Sequence, residues 1–504
     1  MVTCRSVFAF CGFLFLSVVI VVLIRTFTLS VRTDTVDDCT ATDEDFIRAS
    51  DKIISNFRRA LQIKTVSKNV HEYDTGELLK LQQLIRTAYP VIHSSPLVKL
   101  EVIGNYSLLY SIKGSNSSLT PYMLCSHLDV VPAEPQKWDA PPFAADIKDG
   151  YIYARGTIDF KHGVMGILEA VEYSLSRGFK PQRSFYLAFG HDEEVGGSDG
   201  ARAISERLKA QHVKLEFIVD EGMVVTDGLV PGMTKPAALI GTSEKGQAML
   251  RLTVTQTAGH SSMPPKESTI GILAHAIHKL ESVGQPRMFG YGPEKYMFEH
   301  LAQDMTFSHK LVMSNLWLFG PIVSWVLSRK PVTDAMIRTV TSVTMIQGGI
   351  KANVVPPEAS AIVNHRIHPA QSVQDVIDYD RKLIDDDRVK IEIMDAFESL
   401  PQSPFGDDDF GYQMVKNSIR QVWLGVVVAP ATLIGNTDTR HYVEMTKNIY
   451  RFSPTYMYPE DMARFHGDNE RISVKDYEKA INFYYHLISN ANKELEPSHK
   501  HGEL

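Results

Sequence analysis

The chain has 504 residues, of which 44% are hydrophobic and 22% charged. This is the ordinary balance of a globular protein, and the length suffices for two or three domains. The formal net charge is -7, and lysine and arginine are spread along the chain. It therefore lacks the basic stripe that binding to a phosphate backbone requires, which excludes nucleic acid as a partner.

The N-terminal segment has the composition of a targeting sequence. Residues 7–24 contain no charged side chain and lie between Arg5 and Arg25, a pattern typical of a signal peptide or a signal anchor. The stretch is long for a signal peptide and only just crosses a bilayer core of about 30 Å. We predict a signal peptide or signal anchor at residues 1–30, then an acidic and polar linker at 31–44. A secreted protein is the first expectation, and a single-pass membrane anchor with a luminal catalytic domain is the alternative.

Two acceptor sequons fit the secretory pathway. They start at Asn105 and Asn116, where we predict glycosylation. Two of the four cysteines lie in the leader, which leaves Cys39 and Cys125. These are too few for a disulfide scaffold, and whether they pair stays open. Residues 491–504 are predicted to form a polar tail.

Three apolar runs that are typical of strands lead into histidine, aspartate or glutamate residues. The runs are 122–128, 184–190 and 215–219, with helix-like stretches at 163–177 and 199–208 between them. Strands that alternate with helices predict an α/β sheet, flanked by helices, whose working residues gather at the carboxyl ends of its strands. We assign residues 45–244 to the first part of this catalytic domain.

A second pattern begins near Lys245. Alternating segments at 249–255, 339–346 and 359–366 predict half-buried strands, and 270–283 predicts a helix. We predict an inserted α+β domain at 245–400, after which residues 401–490 complete the catalytic domain. Within the insert, the apolar stretch 316–327, interrupted by Gly320-Pro321, is too short to span a membrane. Packing in the core or between subunits is the first interpretation, and the lining of an acyl-chain path is the alternative.

The residues at the strand ends are those of a metal site. They are His127 and Asp129, then Asp159, then Glu193 and Glu194, then Asp220, and His466 near the end of the chain. Imidazoles and carboxylates without a thiolate bind divalent ions in catalytic sites. Three carboxylates (Asp159, Glu194 and Asp220) balance two divalent ions and a bridging hydroxide, whereas one ion would leave carboxylates uncompensated. Five side chains can give each of two ions three protein ligands only if one of them bridges, and Asp159 is our choice.

Adjacent acids need separate roles, because consecutive side chains at a strand end point in opposite directions. In the pair Glu193-Glu194, one residue binds metal and its neighbour serves as general acid and base for amide cleavage. Asp129 lies two residues after His127 and so on the same face of the strand, where it suits a partner that orients the imidazole.

These motifs resemble the co-catalytic metallopeptidase family that includes aminoacylase, bacterial glutamate carboxypeptidase and yeast carboxypeptidase S. The resemblance extends from about Asp45 to Ser489 and includes Ala258-Gly259-His260-Ser261-Ser262, Gly435-Asn436-Thr437-Asp438 and Arg451-Phe452. It implies two zinc ions, one on His127 and Asp220, the other on Glu194 and His466, with Asp159 as the bridge. Glu193 is then the general base. The family has a cis peptide after the bridging aspartate, where this chain has Phe160 and the family often has a second aspartate.

The resemblance also gives roles to the insert, which becomes a lid used for dimerisation. His260 would stabilise the oxyanion, from its own chain or from a partner subunit. Asn353, Arg366 and Gly435 would contact the substrate, with the Arg366 guanidinium facing the free carboxylate of an amino acid.

The activity implied is zinc-dependent cleavage of N-acyl amino acids, including N-fatty-acyl ones, together with the reverse condensation. The partners are then small molecules, with a lipoprotein or membrane lipid as a candidate source of fatty acid. The alternatives are a carboxypeptidase or dipeptidase with the same metals, and a metal-free binding protein on the same fold. Which direction dominates depends on concentrations, and the preferred acyl chain and amino acid stay open.

Overall fold

The computed structural model describes residues 4–29 and 46–492. The predicted linker 31–44 and nearly all of the predicted polar tail lie outside this range. The N-terminal apolar segment forms one helix, α1 (Cys4–Thr28).

The first part of the large domain contains ten strands and five helices among the described residues. In chain order they are α2 (Asp51–Gln62), β1 (Ser67–Asn69), β2 (Glu72–Tyr73), α3 (Thr75–Ala88), α4 (Pro90–Ser94), β3 (Val98–Ile103), β4 (Ser107–Ile112), β5 (Tyr122–His127), β6 (Asp146–Lys148), β7 (Tyr151–Tyr153), α5 (Lys161–Ser176), β8 (Phe185–Gly190), α6 (Ala201–Ala210), β9 (Ile218–Thr226) and β10 (Ala237–Glu244).

The segment that follows forms a separate sheet and several helices before the chain returns. Its elements are β11 (Gly246–Thr255), β12 (Gly259–His260), α7 (Thr269–Val283), α8 (Pro293–Leu301), α9 (Phe307–Met313), α10 (Leu316–Leu327), α11 (Pro331–Ile337), β13 (Val340–Gly348), β14 (Val354–Val355), β15 (Glu358–Ile367), α12 (Val373–Ile384) and β16 (Val389–Phe397). The return adds α13 (Phe410–Val422), β17 (Val427–Leu433), β18 (Ile449–Met457), β19 (Arg471–Ser473) and α14 (Val474–Ala491).

The large sheet has eight strands in the order β17-β10-β18-β9-β5-β8-β4-β3. Its centre is parallel, because β5 pairs in parallel with both β8 and β9, and β9 pairs in parallel with β18. Every residue of β5 is buried, as expected where helices cover both faces of a sheet. Helices α5, α13 and α14 pack on one face and α6 on the other. The predicted α/β domain with a mixed sheet is confirmed.

The second sheet has four antiparallel strands in the order β13-β15-β11-β16. Buried residues alternate with more exposed ones along β15, because helices α7 and α12 cover one face only. We call this sheet with its two helices the lid. It confirms the predicted inserted α+β unit.

Helices α8 to α10 leave the lid and pack on the large sheet. Met297 of α8 and Leu316 of α10 join a buried cluster with Leu239 of β10 and Ala429 of β17. The predicted interruption at Gly320-Pro321 is wrong, since α10 continues through Pro321. A proline there removes only the hydrogen bond to the carbonyl of Trp317, and that side of the helix is exposed.

Candidate dinuclear metal site

The histidine and acidic residues that follow the apolar runs meet at one edge of the large sheet. His127 is the last residue of β5, and Glu193 and Glu194 form a single 3-10 turn just after β8. The neighbouring strand β9 carries Asp220 and Glu221. Since these three strands are parallel neighbours, their carboxyl ends lie side by side, which is where the sequence places the active residues of an α/β sheet.

Asp159 lies between two imidazoles. Its Oδ1 is 3.0 Å from Nε2 of His127, and its Oδ2 is 2.6 Å from Nε2 of His466. Each carboxylate oxygen therefore faces a different histidine, which is the arrangement of a bridging ligand. The peptide bond between Asp159 and Phe160 is cis, as the resemblance implies.

Glu194 completes the His466 side of the cluster. Its Oε2 is 3.3 Å from Nε2 of His466, and its Oε1 accepts a hydrogen bond from the backbone N–H of Val131 at 3.1 Å. The Glu194 side chain is buried, whereas that of His466 is half exposed. The His466 ring thus closes the cluster from the solvent side.

Asp129 is fully buried and supports both halves of the cluster. The backbone carbonyl of Asp129 accepts from Nδ1 of His127 at 3.0 Å, and its carboxylate Oδ1 lies 3.4 Å from the same nitrogen, so that Asp129 can orient the ring. Its carboxylate accepts the backbone N–H groups of Glu193 at 3.1 Å and Glu194 at 3.2 Å. Asp129 therefore fixes the turn that carries the two glutamates.

Glu221 lies in the cluster beside the predicted ligand Asp220. Oε2 of Glu221 is 3.3 Å from Nε2 of His127. Asp220 accepts the backbone N–H of Glu221 at 2.9 Å, and its second oxygen is buried without a partner among the described residues. A buried oxygen of this kind is available to a cation, so Asp220 as a ligand stays a prediction, and the structure adds Glu221 as a second candidate.

The electrostatics of the cluster call for added positive charge. Burial, followed by the charge of Asp159, raises the pKa of Glu194 to about 7. Burial raises the pKa of Glu193 and of Glu221 well above the usual carboxyl value, and each is further raised by neighbouring carboxylates. Hydrogen bonds to Asp159 and Glu194 raise the pKa of His466 to about 10. Crowded, buried carboxylates that bind protons this tightly are those that a divalent cation would stabilise as anions.

Two groups of side chains could hold a metal ion among the described residues. The first is His127, Glu193 and Glu221, and the second is His127, Asp159 and Glu194, with the ligand atoms of each group within 4.8 Å of one another. The donors are nitrogen and oxygen only, as expected for a catalytic zinc site. The residues present therefore fit a pair of divalent ions.

Sequence reasoning missed the buried ion pair that holds the Asp159 loop. Nη1 of Arg155 donates to Glu470 at 2.7 Å, and Nη2 donates to the carbonyl of His466 at 3.1 Å. Glu470 also accepts the backbone N–H groups of Ile158 at 2.6 Å and Asp159 at 3.2 Å. The signal was present in Arg155, which precedes Asp159 by four residues, but Glu470 lies too far along the chain to be paired with it from sequence.

Arg366 reaches the junction between lid and large domain. It lies on β15 and donates to the amide oxygen of Asn436, which follows Gly435. Asn436 in turn donates to the carbonyl of Lys245 at 2.6 Å. The structure thus brings Arg366 next to the Gly435 loop through Asn436, which the sequence prediction did not include, and substrate binding by Arg366 and Gly435 stays a prediction.

His260 and Asn353 lie together on an exposed edge of the lid. β12 pairs with β14, and the N–H of Ser261 donates to the carbonyl of Asn353 at 3.2 Å. Nδ1 of His260 is 2.7 Å from the hydroxyl of Ser262. Within the described part of one chain, His260 is therefore a surface residue and is not placed at the metal cluster.

The two sequon asparagines occupy turns. Asn105 is exposed between β3 and β4 with a positive φ of 68°, and Asn116 is partly exposed with its amide oxygen hydrogen-bonded to Ser118. Their glycosylation stays a prediction.

The fold and the site together define a metallopeptidase-type hydrolase. Residues 123–490 match the model of Peptidase family M20/M25/M40, and the chain belongs to this family. The resemblance drawn from the motifs is confirmed.

Among known proteins, the chain is 47% identical over 501 residues to "N-fatty-acyl-amino acid synthase/hydrolase PM20D1.1" of Danio rerio, covering 97% of each chain. Its fold is similar to that of "a M20 family metallo-carboxypeptidase Sso-CP2 from Sulfolobus solfataricus", with a TM-score of 0.62, 16% identity, and coverage of 88% of this chain and 100% of that one. It is also similar to the Bacillus subtilis YXEP protein, described as "a Dinuclear Metal Binding Peptidase from M20 Family", with a TM-score of 0.54, 14% identity, and coverage of 87% and 96%.

Proposed function

We propose that this enzyme cleaves the amide bond of N-fatty-acyl amino acids to release a fatty acid and an amino acid, and that it also catalyses the reverse condensation. The observation that carries the proposal is the position of Asp159 between His127 and His466, each facing a different carboxylate oxygen. The identity of 47% to a synthase/hydrolase of this type supports the choice of substrate.

The proposed cofactor is a pair of zinc ions. Asp159 would be shared between them, His127 and Glu221 would hold one, and Glu194 and His466 would hold the other. When bound, zinc supplies a Lewis acid for the acyl carbonyl and lowers the pKa of water. Glu221 replaces Asp220 in this proposal because its carboxylate is the one that approaches His127.

Glu193 is the proposed general base. Burial, and then the charge of Glu221, raises its pKa well above the usual glutamate value, so its carboxylate accepts a proton readily. Glu193 takes the proton of the attacking water and then passes it to the leaving amine, as amide cleavage requires. Asp129 holds the backbone of Glu193 in place. In the condensation the same proton moves in the opposite direction.

The lid is proposed to bind the amino-acid half of the substrate. Arg366 is partly buried at the junction, and burial, followed by the charge of Arg440, lowers its pKa. A guanidinium in such a place gains from a bidentate carboxylate partner. Asn353, Gly435 and His260 are proposed to complete the substrate contacts.

Assembly, location and modification are further parts of the proposal. Exposed Met345 and Ile346 on the edge strand β13 suit a homodimer through the lid. We place the enzyme outside the cytoplasm as a secreted glycoprotein, with a membrane-anchored form as the alternative. A lipoprotein or membrane lipid would then supply the fatty acid.

Peptide cleavage is the second candidate function, because Arg366 could equally bind the C-terminal carboxylate of a peptide. Purified, zinc-loaded full-length enzyme should therefore be given long-chain N-acyl amino acids and dipeptides in parallel. We expect the N-acyl amino acids to be turned over with the higher kcat/KM, and Glu193→Gln to lose this activity while it retains zinc, since proton transfer is typically worth about 10² to 10⁴ in rate. Faster turnover of dipeptides would favour the carboxypeptidase function, and an active Glu193→Gln enzyme would contradict the role of Glu193.

A further inference from the structure

Helix α10 exposes a large apolar face. Two adjacent rows of the helix are exposed, Trp317, Pro321 and Trp325 in one and Leu318, Ile322 and Val326 in the other. Trp317 is 53% exposed, Ile322 59%, Trp325 51% and Val326 52%. Because residues four apart lie on the same side of a helix, these side chains form one continuous surface, which we call the α10 face. Contiguous exposed apolar surface of this kind marks an interaction site.

The end of α1 is fixed beside this face by polar contacts. The buried amide of Asn315, just before α10, donates to the carbonyl of Val22 at 3.2 Å and lies 3.1 Å from the hydroxyl of Thr26. Arg25 donates to the carbonyl of Ser314 at 3.3 Å. The apolar side chains of α1, such as Phe13 and Phe15, are otherwise exposed. The α10 face is therefore continuous with a helix long and apolar enough to cross a membrane.

The chain segment that contains α10 carries charges of one sign. Between Asp304 and Asp334 the chain has no acidic residue, whereas it has Lys310, Arg329 and Lys330. The guanidinium of Arg329 lies 4.2 Å from the ring centre of Trp325. Tryptophan next to a basic side chain is typical of the boundary between headgroups and acyl chains.

The geometry allows α10 to lie in a membrane surface and not to cross it. A helix of 12 residues is about 18 Å long, which is well short of a hydrocarbon core of about 30 Å. Helices α9 and α10 cannot form one straight span either, since they meet at 109°.

We propose that the α10 face, with the end of α1 beside it, docks on a lipid bilayer at the boundary between headgroups and acyl chains. A bilayer satisfies the apolar rows, the two tryptophans and the basic rim together, and in the membrane-anchored form it is also the environment that the adjoining α1 requires. The supply of fatty-acyl substrate through this surface rests on the proposed function. The docking of the surface on a bilayer does not depend on that function.

The inner side of α10 packs on the large sheet close to β9. Leu316 and Val323 pack in the same apolar cluster as the partly buried Met223 and Met313. Met223 lies on β9, two residues after Glu221. Methionine-rich packing adapts readily to an inserted chain, so an acyl chain that enters from the bilayer would meet adaptable packing under α10.

Tryptophan fluorescence tests the docking without any activity measurement. The chain has four tryptophans, and Trp138 and Trp423 are buried in the large domain. In vesicles of phosphatidylcholine brominated near the headgroup, we expect the full-length chain to lose up to about half of its emission, and to lose less when the bromine is near the midplane. The double variant Trp317→Phe/Trp325→Phe, which keeps the apolar face, should lose this quenching. Undiminished emission of vesicle-bound wild-type protein, or quenching that persists in the double variant, would overturn the proposal.

A second experiment separates docking from catalysis. Ile322→Glu places a carboxylate on the α10 face, and Leu424→Glu, at an equally exposed site of the large domain, is the matched control. We expect Ile322→Glu to lower turnover of a long-chain N-acyl amino acid presented in vesicles by about tenfold or more, the equivalent of one well-buried side chain. Turnover of a soluble short-chain analogue should be unchanged, which also shows that the variant folds.

Equal rates of Ile322→Glu and wild type on the vesicle substrate would overturn the role of the α10 face in substrate supply. If wild-type enzyme turned over neither substrate, the proposed function would fail while the bromine measurement still decided the docking. If Ile322→Glu changed the oligomeric state and vesicles left wild-type emission unquenched, the face would be a contact between copies of the chain, and the bilayer proposal would be wrong.

Discussion

The chemistry of the site depends on which member of each adjacent acid pair faces the metals. The pairs are Glu193-Glu194 and Asp220-Glu221. In the first pair, Glu194 approaches His466, and Glu193 lies in the group with His127. In the second, Glu221 approaches His127, and Asp220 accepts the backbone N–H of Glu221 with one oxygen while the other is buried without a partner among the described residues. Which of the two carboxylates binds metal is therefore a question for experiment.

The different positions of Asp220 and Glu221 lead to a first prediction. Glu221→Ala should reduce bound zinc from two equivalents per chain to about one, because a site with only one unshared protein ligand binds zinc poorly. Asp220→Asn should retain two, since its oxygen still accepts the N–H of Glu221. Zinc per chain is measured by mass spectrometry after removal of free metal. Loss of zinc from Asp220→Asn together with two equivalents in Glu221→Ala would restore the sequence assignment.

Arg366 gives a second prediction at this scale. Its loss should leave the substrate carboxylate unpaired in the closed site, at a cost of about 2 to 5 kcal/mol in transition-state binding. Arg366→Ala should therefore lower kcat/KM for N-acyl amino acids sharply, and Arg366→Lys should recover only part of the loss, because lysine lacks the forked donor geometry. Amidated analogues, which lack the charge, are the control. Equal losses on acids and amides would mean that Arg366 serves the structure of the lid.

Individual site residues could be predicted from the sequence where they lie at the end of an apolar run. His127 and Glu194 follow the buried strands β5 and β8, so the pattern alone brings them to one edge of the sheet. Glu221 was missed because the orientation of an adjacent pair depends on the exact course of β9, whose pairing with β18 shifts register after Asp220. Asn436 was missed because its contact with Arg366 exists only once the lid has folded over the large domain.

The loop that carries Asp159 is held as a unit between β7 and α5. Glu470, which precedes β19, accepts the backbone N–H groups of Gly156, Ile158 and Asp159. Arg155 neutralises Glu470 and also holds the carbonyl of His466. Both sides of the bridging position thus depend on one buried ion pair, and we regard Arg155 and Glu470 as positioning residues.

Glu470→Gln should accordingly destabilise the fold and weaken the site. Breaking a buried ion pair typically costs about 3 to 5 kcal/mol, because the remaining charge stays buried. We expect a lower free energy of unfolding in urea and a weaker zinc affinity. Glu206→Gln, which breaks the exposed pair of Arg202 and Glu206, is the matched control and should change stability by less than about 1 kcal/mol. Unchanged zinc affinity in a folded Glu470→Gln enzyme would show that the pair braces the loop without positioning Asp159.

Whole elements were predictable where their hydrophobic period is clear. The runs at 359–366 and 270–283 correspond to β15 and α7, since each buries one face against the other. The exposed face of α10 was not predictable, because its sequence is apolar on every side and resembles a core helix. Only the position of α10 at the surface of the large domain shows which rows remain open.

At the scale of the whole molecule, the lid is joined to the large domain at two neighbouring crossings. β10 of the large sheet ends at Glu244 and β11 of the lid begins at Gly246. Glu244 receives Arg451 and the hydroxyl of Thr439, both from the large domain. The N–H of Leu400 returns to the carbonyl of Glu244 at 3.2 Å. These crossings hold Arg366 at the junction beside Asn436, whereas His260 lies on an exposed edge of the inserted segment.

The exposed position of His260 leads to a prediction about assembly. If two lids pair so that His260 of one chain serves the metal site of the other, His260→Ala and Glu193→Gln enzymes should each be inactive alone but should complement each other. A mixed dimer then has one site with both groups intact, so random exchange of subunits at equal amounts should restore about a quarter of wild-type activity per chain, as two-fold symmetry requires. His260 is exposed, so its loss should leave the fold unchanged, which circular dichroism would verify. Mixing without exchange of subunits is the control and should restore nothing. Inactive mixtures, in samples where mass spectrometry shows that mixed dimers have formed, would mean that His260 acts within its own chain after a closure of the lid.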